Sequence, residues 1–191
     1  QDGCGPYNCY PVKVITRYKD EIYIGWVPPT IGGGIVVNGI ARWDGVQWKA
    51  LQNGFNGAAS TNGFWEHNGD LYIAGGFDVT IDSIVQYAIV KWDGDNWEGF
   101  AFPVYNNDYP IAQDAVWYKG KLYLGGGFPF PVDNSYILDI ASFDGQGWSA
   151  VENGITGGGW HGIFDMEVYK DELYICGTFR AVDGNIGNKI M

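Results

Sequence analysis

The feature that most constrains this chain is an internal repeat. An apolar-Tyr-apolar triplet, followed in most copies by glycine and Phe, recurs with its tyrosine at Tyr23, Tyr72, Tyr123 and Tyr174. Some twenty residues further on stands an aromatic-Asp-Gly-x-x-Trp element, at Trp43-Asp44-Gly45, Trp92-Asp93-Gly94 and Phe143-Asp144-Gly145, closed by Trp48, Trp97 and Trp148. Successive tyrosines are 49, 51 and 51 residues apart. A period of that length marks an array of supersecondary units, each of which buries its apolar faces only against a neighbour.

Each unit reads as four short strands. In the third, Ala115-Val116-Trp117-Tyr118 is strand-like, Lys119-Gly120 is a two-residue turn signal, and Lys121-Leu122-Tyr123-Leu124 resumes the extended chain. Gly125-Gly126-Gly127 is expected to end that strand, with a loop through Pro129, Pro131 and Asn134 before a third strand over Ile137 to Phe143. Asp144-Gly145 then turns the chain into a fourth strand from Trp148 to Val151, since Asp-Gly between extended runs favours a tight hairpin. The first unit repeats the scheme at Val14 to Tyr18, Glu21 to Gly25, Gly39 to Trp43 and Gln47 to Leu51. The second does so at Gly63 to Glu66, Asp70 to Ala74, Tyr87 to Trp92 and Asn96 to Phe100.

The expected class is therefore all-β, built of four-stranded antiparallel sheets that serve as blades of a β-propeller. Leu122, Tyr123 and Leu124 are apolar in succession, so their strand should be covered on both faces, as stacked blades provide. A β-sandwich, which would alternate apolar and polar residues, ranks second. The division is an N-terminal segment 1–10, blades at 11–57, 58–110 and 111–161, and an incomplete blade at 162–191. In the fourth unit no Asp-Gly turn or closing Trp follows Tyr174, so about three and a half blades of a larger propeller are expected. A half-propeller completed by a second copy is the alternative.

The run Leu71-Tyr72-Ile73-Ala74-Gly75-Gly76-Phe77, followed by Ile89-Val90-Lys91-Trp92-Asp93-Gly94 and Trp97, resembles the kelch-like propeller repeats of secreted bacterial proteins. Such repeats occur particularly in surface proteins of the Bacteroidetes type, many exported by the type 9 secretion system. The resemblance covers nearly all of the chain after about Pro11. It implies a fold and a secreted or cell-surface location, and it leaves activity open, because one scaffold serves many functions.

Charge and composition narrow the partners. Thirty glycines with nine Trp, thirteen Tyr and ten Phe suit short strands and tight turns. A net charge of -11 repels phosphate backbones and anionic lipid surfaces, so neither nucleic acid nor membrane insertion is expected. The start at Gln1-Asp2-Gly3 is what signal-peptide removal leaves, and an edited chain would look the same. Cys4 and Cys9 flank the turn-prone Gly5-Pro6-Tyr7-Asn8 and are read as a disulfide loop, with free thiols as the alternative. Cys176 takes the place of Gly25, Ala74 and Gly125 and is read as a small core residue.

The repeat also sorts the residues able to carry chemistry. Asp44, Asp93 and Asp144 recur at turns and are read as structural, although Asp-Gly-x-x-Trp is similar to the Asp-box of sialidases. His67 aligns with Tyr18, Tyr118 and Tyr169 and is read as a structural aromatic substitute. Length varies in the connections between units, which in a propeller share a rim with the loops after the second strands. Trp26, Asp78, Asp82, Tyr105, Asn106, Asp108, Asp133, Trp160 and His161 fall there. Aromatic rings beside carboxylates suit sugar stacking and hydroxyl binding, and His161 in a glycine-rich loop is the one free imidazole candidate.

No nucleophile elbow, phosphate loop or metal-protease helix is present, and no cofactor is implied; calcium on loop carboxylates stays open. The leading reading is a noncatalytic exported segment for adhesion, carbohydrate binding or protein interaction, its partner a protein or glycan at the rim. A glycan-cleaving enzyme with carboxylates drawn from different blades is the second. A cargo bound to outer-membrane secretion or surface proteins is the third.

Overall fold

A computed structural model describes residues 12–133, 135–151, 162–178 and 189–190. These residues are all-β, with no helix among them, and the chain divides between Phe100 and Ala101 into two compact units. In the first unit, β1 (Val14–Tyr18), β2 (Glu21–Gly25), β5 (Ile40–Trp43) and β6 (Trp48–Ala50) form one antiparallel sheet in that order. A small ribbon of β3 (Thr30–Ile31) and β4 (Ile35–Val36) is inserted between β2 and β5. The second sheet comprises β7 (Asn56–His67), β8 (Asp70–Ile81), β9 (Ile84–Trp92) and β10 (Trp97–Gly99), again as a meander. In the second unit, β11 (Ile111–Tyr118), β12 (Lys121–Val132), β13 (Ser135–Phe143) and β14 (Trp148–Ala150) form the third sheet, and β15 (Ile163–Tyr169), β16 (Glu172–Gly177) and β17 (Lys189–Ile190) the fourth. Among the described residues no sheet closes on itself into a barrel.

Every first hairpin uses the same turn. Both central residues have positive φ, at Lys19 (46°) and Asp20 (62°), Asn68 (53°) and Gly69 (86°), Lys119 (47°) and Gly120 (77°), and Lys170 (51°) and Asp171 (59°). That is the type I′ geometry, whose twist matches that of paired strands. The Asp-Gly hairpins differ from it. Their loops are four residues long, since Trp43 pairs with Trp48, Trp92 with Trp97 and Phe143 with Trp148. One carboxylate oxygen closes each loop: Asp44 Oδ1 accepts from the amides of Val46 (2.8 Å) and Gln47 (2.8 Å), Asp93 Oδ1 from Asp95 (2.8 Å) and Asn96 (2.7 Å), and Asp144 Oδ1 from Gln146 (2.9 Å) and Gly147 (3.0 Å). The Lys49 ammonium, ahead of the two amides, holds the Asp44 carboxyl below the usual carboxylate range, and the amide bonds do so at Asp93 and Asp144. The structural reading of these aspartates is thereby explained.

The diglycine element is a close crossing of strands. A Cβ on Gly75 would stand 2.0 Å from the Ser60 carbonyl oxygen, and one on Gly126 would stand 2.2 Å from that of Ile111. Only glycine lets the second strand continue past the first at that point. The continuation produces a result the sequence reading did not expect. β8 and β12 do not end at their glycines but run on to Ile81 and Val132, paired with β9 and β13 beyond a bulge. The segment through Pro129 and Pro131 is thus strand rather than loop. Proline fits because β11 ends its pairing at Gly127, which frees one side of β12 from donating N–H bonds. In the first repeat Trp26 replaces the glycine; β2 stops at Gly25, and Trp26 turns away at a φ of 56°.

Sheets pack on their neighbours within each unit. Tyr18, Tyr23 and Ile40 of the first sheet join Leu71, Ile73, Phe77 and Trp92 of the second in one core. Tyr118 and Ile140 of the third join Ile163, Met166, Leu173 and Ile175 of the fourth. Tyr18 donates its hydroxyl to the Gly69 carbonyl in the turn of the next sheet (2.8 Å), and Tyr118 does the same to Asp171 (3.1 Å). The loop carbonyls of the second sheet take further donors from the first: Lys19 to Asp93, Arg42 to Gly94 (3.3 Å) and Gln52 to Asp95 (2.8 Å). Strand β1 lies beside β7, and β11 beside β15.

Two further expectations meet the structure here. Cys176 is exposed rather than buried, because among the described residues no sheet covers β16 as the second sheet covers Gly25. The fourth unit does gain a third strand: Ile190 stands opposite Leu173, where Trp92 and Phe143 stand opposite Leu71 and Leu122.

Candidate functional site

The features common to all repeats serve the architecture, and the candidate binding residues lie where the repeats differ. His67 belongs with the common features. Its ring meets Tyr72 edge-on at 6.1 Å, as Tyr18 meets Tyr23 (5.6 Å), Tyr118 meets Tyr123 (5.8 Å) and Tyr169 meets Tyr174 (6.4 Å).

The expected rim residues separate into two groups. Trp26 is held by the first sheet: the Lys13 ammonium lies 5.0 Å from its ring centroid and also donates to Asn62 Oδ1 at 2.8 Å. Asp78 lies in the extended part of β8 and accepts from Asn56 Nδ2 at 2.8 Å, so it ties β7 to β8 instead of standing in a loop. Asp82 forms the exposed tip of the β8–β9 hairpin, at a φ of 49°.

Tyr105, Asp108 and Asp133 belong to the second unit. Tyr105, Asn106, Asn107 and Asp108 make a turn closed by the Asp108 amide on the Tyr105 carbonyl (2.8 Å), with Asn106 and Asn107 at φ of 48° and 61°. Asp133 leads the tip of the β12–β13 hairpin at a φ of 51°. Tyr136, three residues further along, packs its ring on Tyr105 at 5.0 Å, and it remains 48% exposed. The turn and the hairpin therefore meet through two tyrosines, with Asp108 three residues after Tyr105 and Asp133 three residues before Tyr136. Tyr136 was missed because its strand was expected to begin at Ile137 and its partner Tyr105 is distant in sequence. Trp160, His161, Cys4 and Cys9 lie outside the described residues.

A second difference between repeats is a set of aspartates absent from the first unit. Asp114 and Asp165 occupy matching positions, four residues before Tyr118 and Tyr169, where the first two repeats have Val14 and Gly63. Both sit at register shifts, in β11 and β15 respectively. Asp114 Oδ2 accepts from the Met166 amide at 2.7 Å, so it bonds across to the next sheet. Burial pushes its carboxyl up to about 6, and the adjoining Asp165 carboxyl, within hydrogen-bonding reach, pushes in the same direction.

Asp139 is the third member of the set. It is buried at a φ of 71°, at a position held by Gly39 (87°) and Ala88 (62°) in the earlier repeats. Three residues, 126–128, oppose it across the bulge, and the Phe128 amide bonds its carboxyl. Its carboxylate lies against Gly162, ahead of β15, where an added Cβ would be 1.9 Å from Oδ2. Burial raises this carboxyl also to about 6. Sequence reasoning missed these three because Asp at one strand position in two repeats has no local signature. A glycine at the aligned position, Gly39, was the hint the sequence offered.

Among the described residues no three His, Cys, Asp or Glu side chains group around a metal position, and no helix is long and apolar enough to cross a membrane. No protein-family model matches the chain, and none of the curated proteins matches it.

Proposed function

We propose that the chain is a noncatalytic, exported β-propeller segment that binds glycan or protein through the loop end bearing Tyr105 and Tyr136. The blade reading is supported by consecutive four-stranded meanders, by first strands that lie beside first strands, and by the Tyr hydroxyl bonded to the turn of the next sheet. The observation that carries the binding reading is the Tyr105–Tyr136 ring pair, with Tyr136 48% exposed and Tyr105 partly buried beneath it, on a turn and a hairpin. Such rings offer a flat apolar face for a sugar, and Asp108 and Asp133 supply acceptors for hydroxyls. Resemblance to exported kelch-like repeat proteins supports the secreted or cell-surface placement.

Glycan-array binding with and without Tyr136→Ala tests the reading. Retention of a glycan by the native chain without cleavage, and a loss of about tenfold or more in the variant, is expected. Equal binding by both proteins would remove Tyr136 from the site. The glycan-cleaving alternative needs a carboxylate pair drawn from different blades at the rim, and turnover abolished by Asp108→Asn or Asp133→Asn would favour it over binding.

A further inference from the structure

The sheet-to-sheet junction within each unit has two halves, and among the described residues one further half of each kind is exposed, on the fourth sheet and on the first. The receiving half is the pair of tyrosines in the first hairpin. Tyr18 and Tyr118 are 1% and 7% exposed beneath the following sheet, whereas Tyr169, at the same position in the fourth sheet, is 58% exposed. Tyr174 and Cys176 on that sheet are exposed too, although Gly25 and Gly125 at the Cys176 position lie against Thr61 and Ile163 of the next sheet.

The inserting half is a pair of residues at the start of each first strand. In the fourth sheet these are Ile163 and Met166, 0% and 5% exposed against the third. In the second sheet they are Thr61 and Phe64, also packed towards the first. The corresponding residues of the first sheet are Val12 and Ile15, apolar yet 53% and 67% exposed. Their alignment follows from the register, since Ile15 pairs with Ile24 as Met166 pairs with Ile175.

We propose that the first sheet of a second copy of this chain docks on the fourth sheet, head to tail, repeating the junction already formed twice within the chain. Val12 and Ile15 of the copy insert where Ile163 and Met166 insert against the third sheet. The Tyr169 hydroxyl then donates to the copy's Asp20 carbonyl, the turn position that Gly69 and Asp171 hold in the internal junctions. Such a contact is heterologous, so each chain keeps one free face of each kind and can extend the assembly.

The two faces can be disabled separately, because Ile15 and Tyr169 are exposed on different sheets and neither belongs to a buried core. Sedimentation of the native chain should show mass rising with concentration, and Ile15→Asp and Tyr169→Lys should each weaken association about tenfold or more. Ile15→Asp keeps an intact fourth-sheet face and Tyr169→Lys keeps an intact first-sheet face. An equimolar mixture of the two should therefore recover a dimer that neither forms alone. Oxidation supplies a second measurement: in a Cys4→Ser/Cys9→Ser background, Val12→Cys should cross-link to Cys176 of another copy. A native chain that stays monomeric at every concentration, a mixture that fails to recover the dimer, or a disulfide formed within one chain overturns the proposal.

Discussion

The junction between the first and second sheets and the junction between the third and fourth are built to one plan, with one chemical exception. Both place a tyrosine hydroxyl on the next turn, and both place a glycine, Gly25 or Gly125, under a β-branched side chain of the next first strand, Thr61 or Ile163. At the position four residues before the hairpin tyrosine, however, one junction has Val14 and Gly63 and the other has Asp114 and Asp165. The apolar version gains from burial at any pH. The acidic version buries the Asp114 carboxyl, which raises it well above the usual carboxylate range, and so couples that junction to pH. The comparison shows how a repeat separates what supports the fold from what is free to vary.

The strongest way to break the comparison is to overfill both junctions. A Cβ at Gly25 would stand 2.5 Å from Thr61 Cβ, and one at Gly125 would stand 2.6 Å from Ile163 Cγ2. Gly25→Val and Gly125→Val should each lower stability by about 3 kcal/mol, read from urea midpoints. A loss in only one of them would show that the two junctions are not equivalent.

A smaller effect should expose the acidic exception. Asp114 binds its proton more tightly folded than unfolded, so its contribution to stability is fully present below the unfolded value of 3.8 and is lost as pH rises through about 6. Asp114→Asn should remove that loss, raising stability relative to the native chain by about 2 kcal/mol at pH 7.5 and by little at pH 3.5. Thermal denaturation at both pH values checks this, and Asp139→Asn should act in the same direction. A gain of equal size at the two pH values would refute the assigned cause.

Tyr18→Phe and Tyr118→Phe sharpen the common part. Each removes one hydroxyl-to-carbonyl bond between sheets and should cost about 1 kcal/mol, alike in the two junctions. The least effect is expected at the hairpin turns. Asp20 and Asp171 hold φ of 62° and 59° where the other two turns carry glycine. Asp20→Gly and Asp171→Gly should therefore stabilise by about 0.5 kcal/mol, measured as an upward shift of the thermal midpoint. The exposed Arg17–Asp20 pair lost in the first variant contributes little.

Much of this was legible from single residues. β1 and β2 match the expected Val14 to Tyr18 and Glu21 to Gly25, because Tyr and Ile runs bounded by a turn pair leave few alternatives. The Asp-Gly elements were legible as turns, though not as four-residue loops, since the deciding bond comes from the Asp side chain. Misreading Gly125 to Pro131 as a strand end had a physical cause. Glycine and proline break strands on average, but here glycine permits a crossing and proline faces a side with no partner. Of the expected site, Tyr105, Asp108 and Asp133 fall on turns as read, while Asp78 is a paired strand residue.

By itself, the sequence determined the repeat, the strand pairs within a sheet and the turns that join them, because these depend on residues within a few positions of one another. Tertiary structure alone decided which carboxyls adjoin, which tyrosine meets Tyr136, and why Cys176 is exposed while Gly25 is covered. Those outcomes depend on which face each sheet turns toward its neighbour, across about fifty residues of chain, and local periodicity does not encode them.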